Sequence, residues 1–262
     1  MRIVFLGTSH GLHTSSRYNT ATLLEVGETH YLIDCGEPVA GTLTRLGIGT
    51  SRLRALFVTH LHGDHMGGLT QLTNTLALRP GPGQLVTYYL PAEGVANLTL
   101  YLKTIYLEPE TAETPVALRP VKSGDFYEDG LIKVRAVHNA HLTGSFEKMD
   151  LGEAPNSGQS YSYVIEGEGK RLAFSGDICG PLKDHALDHL VNEELDLLVM
   201  EMTHVQPTGI LPVVGGMRIG QVALNHIHDP WEGEGEAALA AHCEKYLSCP
   251  FTIAHDGEEL VL

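Results

Sequence analysis

The chain has 262 residues, with 17 Lys or Arg against 32 Asp or Glu, a formal net charge of −15. Such a field repels polyanions at long range, and no Lys/Arg cluster offsets it, so composition argues against a nucleic-acid-coating protein. The four cysteines, Cys35, Cys179, Cys243 and Cys249, show no CxxC pairing, and the opening apolar run is too short for a signal peptide or membrane span. Reduced thiols, a cytoplasmic location and no membrane association follow as expectations. Without a linker, charge block or internal repeat, residues 1–262 read as one domain.

In chain order, residues 3–6 read as a buried strand closed by the loop 7–11. Residues 20–26 and 30–33 form a hairpin around Gly27-Glu28 that ends at Asp34-Cys35-Gly36. A helix over 38–46, with Val39, Leu43 and Leu46 on one face, stops at Gly47.

The apolar run Ala55-Leu56-Phe57-Val58 then delivers Thr59-His60-Leu61-His62-Gly63-Asp64-His65. Imidazole and carboxylate suit zinc and neighbouring first-row metals. In extended chain, residues two apart point the same way, so His60 and His62 can grip one ion together. Once the chain turns at Gly63, Asp64 and His65 aim elsewhere, which suggests a second ion.

Beyond this loop come a helix over 69–78, a strand over 85–90 and a helix over 92–107 with Val95, Leu98, Leu102 and Ile105 on one stripe, in which Tyr101 and Tyr106 read as packing residues. Strands are expected at 116–121, 125–127 and 131–137, the last running into His138-Asn139-Ala140-His141. Alternation puts His138 in phase with Ile132, Val134 and Ala136, as a buried residue and not a rim ligand. A serine-bearing loop, 143–159, is expected to cover the site.

Strands over 159–166 and 171–174 lead into Ser175-Gly176-Asp177. A carboxylate can bind one ion with each oxygen, so Asp177 is the candidate bridging ligand. Cys179 is the one thiol close to a candidate ligand. A helix over 181–191 and a strand over 195–200 precede Glu201-Met202-Thr203-His204, and a strand over 221–224 delivers Asn225-His226-Ile227-His228. An acidic-started helix over 232–247 and strands over 251–254 and 259–262 finish the chain.

His-x-His-x-Asp-His after an apolar strand resembles the signature of the metallo-β-lactamase-fold hydrolases, and the likeness runs through nearly the whole chain. It is closest to the ribonuclease Z and phosphodiesterase branch. The resemblance implies an α/β fold, a four-layer αβ/βα sandwich of two mixed β-sheets flanked by helices. It implies two divalent ions: His60, His62 and His141 on the first, Asp64, His65 and His226 on the second, and Asp177 across both. His141 is preferred over His138 because the Asn-x-His ending resembles the family's third ligand motif, and a swap of His226 with His228 is left open. Asp34 matches an aspartate that supports a metal ligand from behind. Zinc is expected, and the same donors accept manganese or iron.

The chemistry expected is hydrolysis of a small or nucleotide phosphodiester through a metal-bridging hydroxide, with Asp64 orienting the nucleophile. Glu201-x-Thr203 resembles a ribonuclease Z loop near the leaving group, with His204 or His228 as the proton donor. Only 36 positions separate His141 from Asp177, too few for the arm with which ribonuclease Z grips transfer RNA, and the expected His-Ser-Thr segment is absent. Transfer RNA is therefore not the expected partner. The alternatives are an arm-less ribonuclease Z-like nuclease, a lactone or thioester hydrolase and, outside enzymes, a metal-binding ligand sensor. A homodimer is compatible with the sequence, which does not fix the oligomeric state.

Overall fold

The structure, a computed structural model, describes residues 1–142, 158–178 and 186–262. Most of the expected loop over 143–159, Cys179 and the start of the helix expected over 181–191 lie outside the described residues. Within the rest of that helix, 186–192 are turns.

Two seven-stranded sheets carry the fold, each antiparallel in one part and parallel in the other. In the first, β1 (Arg2–Gly7), β2 (Ala21–Val26) and β3 (Thr29–Ile33) are antiparallel neighbours. Strands β4 (Leu53–Phe57), β5 (Val86–Leu90) and β6 (Val116–Pro120) then add in parallel. Parallel neighbours need crossovers, and these run through α1 (Val39–Arg45), the pair α2 (Gly63–Met66) and α3 (Leu69–Leu78), and α4 (Ala92–Thr104).

In the second sheet, β7 (Gly124–Glu128), β8 (Ile132–His138), β9 (Tyr161–Gly167) and β10 (Lys170–Phe174) are antiparallel. Strands β11 (Glu194–Met202), β12 (Arg218–Ile227) and β13 (Phe251–Ile253) continue in parallel. Helix α5 (Pro207–Gly215) connects β11 to β12, and α6 (Gly235–Tyr246) connects β12 to β13. The last strand, β14 (Glu259–Val261), returns to the first sheet and pairs antiparallel with β1.

Strand periodicity sorts the core into three layers. Ile3 and Phe5 of β1 face inward with Leu24, Tyr31 and Phe57, against Val134, Tyr163, Leu172 and Leu197 of the opposite sheet. Their alternates Val4 and Leu6 pack outward with Leu43, Leu72 and Leu102 of the helices. On the far side, Leu198, Met200 and Leu224 meet Ile210, Leu211 and Leu239. Both faces of each central strand are buried, which is why these strands read as continuous apolar runs. The result is the four-layer αβ/βα sandwich.

Several local expectations change. Helix α4 stops at Thr104, and Tyr101 and Tyr106, expected to pack, are 48% and 95% exposed. The stripe of Val95, Leu98, Leu102 and Ile105 packs on the core as expected, while Tyr101 lies off that stripe and Tyr106 lies past the helix end. Likewise the helix expected from residue 232 begins at Gly235, after a short 3-10 turn over Asp229–Trp231. His138, expected buried, is exposed: it is the last residue of β8, beyond the inner core that covers Ala136. Helix α5, with its internal Pro212, was not anticipated.

Candidate metal centre

The parallel strands β3, β4, β10, β11 and β12 are followed, at or just past their carboxyl ends, by Asp34, the 59–65 loop, Asp177, Glu201 and His226. Open α/β sheets bind their ligands at that edge. His141 arrives from the far side, three residues beyond β8.

Close backbone approach is part of the design. A Cβ on Gly36 would stand 2.3 Å from the Asp64 carbonyl oxygen, so only glycine lets the loop after β3 lie against the metal loop. Gly176 sits at φ +57°, and its Cβ would meet the Tyr161 carbonyl at 2.9 Å, so glycine is also needed to turn Asp177 inward.

His60, His62, His141 and Asp177 come together, as do Asp64, His65 and His226; in each set the donor atoms lie within 4.8 Å of one another. A third such grouping, Asp177, Glu201, His204 and His226, overlaps both. Asp177 sits between the sets. Its Oδ1 is 3.2 Å from His65 Nε2 and 3.6 Å from His226 Nδ1. Its Oδ2 is 3.7 Å from His60 Nε2 and 3.6 Å from His141 Nε2. Asp64 Oδ2 lies 3.0 Å from His226 Nε2 and 3.5 Å from His65 Nε2.

Both oxygens of Asp177, His65 Nε2 and His226 Nδ1 are buried with no hydrogen-bond partner among the described residues. Buried polar atoms are seldom left so, and their convergence in one nitrogen and oxygen donor set is what first-row divalent ions require. The residues present fit a pair of such ions.

Behind the donors, Asp34 accepts the Thr59 backbone N–H at 2.7 Å and the Thr59 hydroxyl at 2.9 Å, and lies 2.8 Å from His65 Nδ1. That contact directs the opposite ring nitrogen, Nε2, at the cluster. Asn139, not singled out in the sequence, is buried; it accepts the His141 N–H at 3.1 Å and donates to the Ser175 carbonyl at 3.3 Å. Its one sequence signal was the Asn-x-His spacing.

Electrostatics follow from burial. Desolvation, helped by His65, holds His60 well below its ordinary value, and desolvation, helped by His204 and His62, pulls His141 down to about 4. Burial would raise Asp177, but His226, His65 and His60 outweigh it and hold the carboxyl well below the usual range. For His65 burial also loses, here to Asp177 and Asp34, and the imidazole is raised. Asp64, despite burial, is lowered to about 2 by His226 and His65.

Beside the cluster, buried Glu201 accepts the backbone N–H groups of Ile178, Thr203 and His204 at 2.8, 2.9 and 2.7 Å. His204 Nδ1 is 3.0 Å from the same carboxylate, and Glu201 overcomes burial to raise His204 to about 9. His228 stands apart, its ring centre 6.1 Å from that of His10. His13 and His255 are exposed, and His255 pairs with Glu236 at 3.0 Å.

Two seven-stranded sheets with helices outside, and a histidine–aspartate cluster at one edge between them, define a metallo-β-lactamase-fold protein. More narrowly, the chain belongs to the family described as "Anti-Pycsar protein Apyc1", whose sequence model matches residues 1–210. Ribonuclease BN of Salmonella paratyphi C (strain RKS4594) is 34% identical over 145 residues, covering 54% of this chain and 46% of that protein. The chain thus spans about half the length of the curated relatives it matches. Among solved structures, YhfI from Bacillus subtilis superposes with a TM-score of 0.75 at 15% identity over 99% of both chains. The short form of human tRNase Z gives 0.73 at 20%, over 100% of this chain and 99% of that one. A diphosphatase of the PhnP family gives 0.71 at 18%, over 100% and 97%. At these identities the structures share the fold.

Proposed function

We propose that the chain is a dinuclear metal-dependent hydrolase acting on a small or nucleotide phosphodiester. The observation that carries this reading is Asp177, whose two unpartnered carboxylate oxygens face two different donor sets. His60, His62 and His141 would hold one ion, Asp64, His65 and His226 the other, and Asp177 both. The residues do not select among zinc, manganese and iron; zinc is the proposed occupant.

When bound, such a pair supplies Lewis acidity toward phosphoryl oxygens and acidifies water near neutral pH. Asp64, low in pKa, stays ionised and orients the attacking water. His204, anchored by Glu201 through Nδ1, keeps Nε2 to donate a proton to the departing alkoxide. Its raised pKa, about 9, keeps that proton in place near neutrality, as a general acid requires.

A nuclease reading draws on the similarity to Ribonuclease BN over 145 residues. The charge of −15 and the 36-position span between His141 and Asp177 favour the small substrate. The test is turnover of a chromogenic phosphodiester beside a phosphomonoester, a lactone and a structured RNA, using the metal-loaded chain and its Asp177→Ala variant. Diester turnover that disappears in the variant is the expected result. Lactone turnover with silence on the diester would overturn the substrate class, and silence on all four with two ions bound would favour a ligand sensor.

A further inference from the structure

We propose that Arg17 is a positioning residue for the ion held by Asp64, His65 and His226, an inference that rests on the two-ion reading. Its starting point is the backbone of His226, which lies at φ +51°, a left-handed conformation uncommon outside glycine. It is held on both sides. The His226 carbonyl accepts the Thr203 hydroxyl at 2.5 Å, and the next N–H, that of Ile227, donates to the Thr8 carbonyl at 2.8 Å. Here β12 slips register against β11: Glu201 pairs with Asn225 and Met202 with Ile227, which leaves His226 as the extra residue of a bulge.

Thr8 is therefore the anchor on one side, and Arg17 holds Thr8. The guanidinium is 2% exposed and donates to Thr8 Oγ1 at 2.7 Å and to the Ala254 carbonyl just past β13. Glu236 and Glu232 lie 3.4 and 3.6 Å from its nitrogens, which makes burial of the charge tolerable. Asp256 completes the clamp by accepting the Thr8 hydroxyl and the Tyr18 N–H, each at 2.7 Å. One buried fork thus joins the loop after β1 to the sheet whose strand β12 presents His226. None of these atoms touches the donor set, so Arg17 acts through Thr8. His60, His62 and His141 are reached by other elements, so the effect is expected at one ion and not both.

The experiment is a chelator-competition titration of the whole chain with zinc, reading bound equivalents, on wild type, Arg17→Gln and Thr8→Val, with circular dichroism as the folding check. Wild type is expected to hold two equivalents. Both variants are expected to keep one tight equivalent while the other weakens about 10- to 100-fold, the usual cost of losing a residue that supports a metal ligand. Folded variants that bind both ions as tightly as wild type would overturn the proposal and leave Arg17 a purely structural charge. Should Arg17→Gln fail to fold, Thr8→Val, which keeps the Ala254 and glutamate contacts, decides by the same criterion. A wild-type chain that holds fewer than two ions overturns the two-ion reading and this inference with it, and the wild-type titration alone separates that result from the previous one.

Discussion

Individual side chains at this site are defined by what stands behind them. Asp34 lies 2.8 Å from the rear nitrogen of His65, so Asp34→Ala frees that ring to rotate and leaves the Thr59 N–H without its acceptor. The expected result is metal affinity lower by about 10- to 100-fold, read by chelator competition. His204 makes a different prediction because its role concerns the leaving group. His204→Gln is expected to lower kcat by about 10²- to 10⁴-fold for a diester with an alkyl leaving group, which needs a proton. A p-nitrophenyl leaving group needs none, so its rate should change little. Equal losses on both substrates would remove His204 from the proton-donor role. The candidate donors His60, His62, Asp64 and His65 were legible in the sequence because they fall within six consecutive positions, although the structure puts the last two in α2. Asn139 was legible only as part of the Asn-x-His ending; that it accepts the His141 N–H and donates to the Ser175 carbonyl follows from the fold.

Among the elements, strands were easier to read than helices. The short apolar runs Ala55-Leu56-Phe57-Val58 and Leu197-Leu198-Val199-Met200 read as strands covered on both faces, and all eight residues are buried. In helix α4 the expected stripe does face the core: Leu102 is fully buried, whereas Leu100, off that stripe, is 66% exposed. The structure separates them sharply. Leu102→Ala is expected to cost about 2–5 kcal/mol through lost burial and a cavity, whereas Leu100→Ala should stay within about 0.5 kcal/mol. Thermal or urea unfolding of the two variants measures the difference, and equal losses would contradict the placement of α4. Pairing of β14 with β1, more than 250 positions apart, and the left-handed turn at His226 are long-range outcomes that no local pattern carries.

For the molecule as a whole, charge state and metal content are linked. Burial pulls both His141 and His189 down to about 4, against an ordinary histidine near 6.5. Between those values the unfolded chain binds more protons at these two sites than the folded one, so their contribution to stability is full above about 6.5 and is lost as pH falls toward 4, whereas the raised His65 and His204 contribute fully below 6.5 and lose that contribution only as pH rises. Melting temperatures of the chelator-treated protein should therefore drop across that window; a flat profile would contradict the buried neutral imidazoles. Metal affinity should weaken over the same range, because a ligating imidazole must be neutral. All of this rests on two ions sharing Asp177, and anomalous scattering from crystals of the zinc-loaded chain tests that most directly. The account predicts two peaks about 3.5–4 Å apart, the spacing of two-metal sites, with one Asp177 oxygen on each. A single peak, or two peaks with Asp177 touching only one, would contradict it.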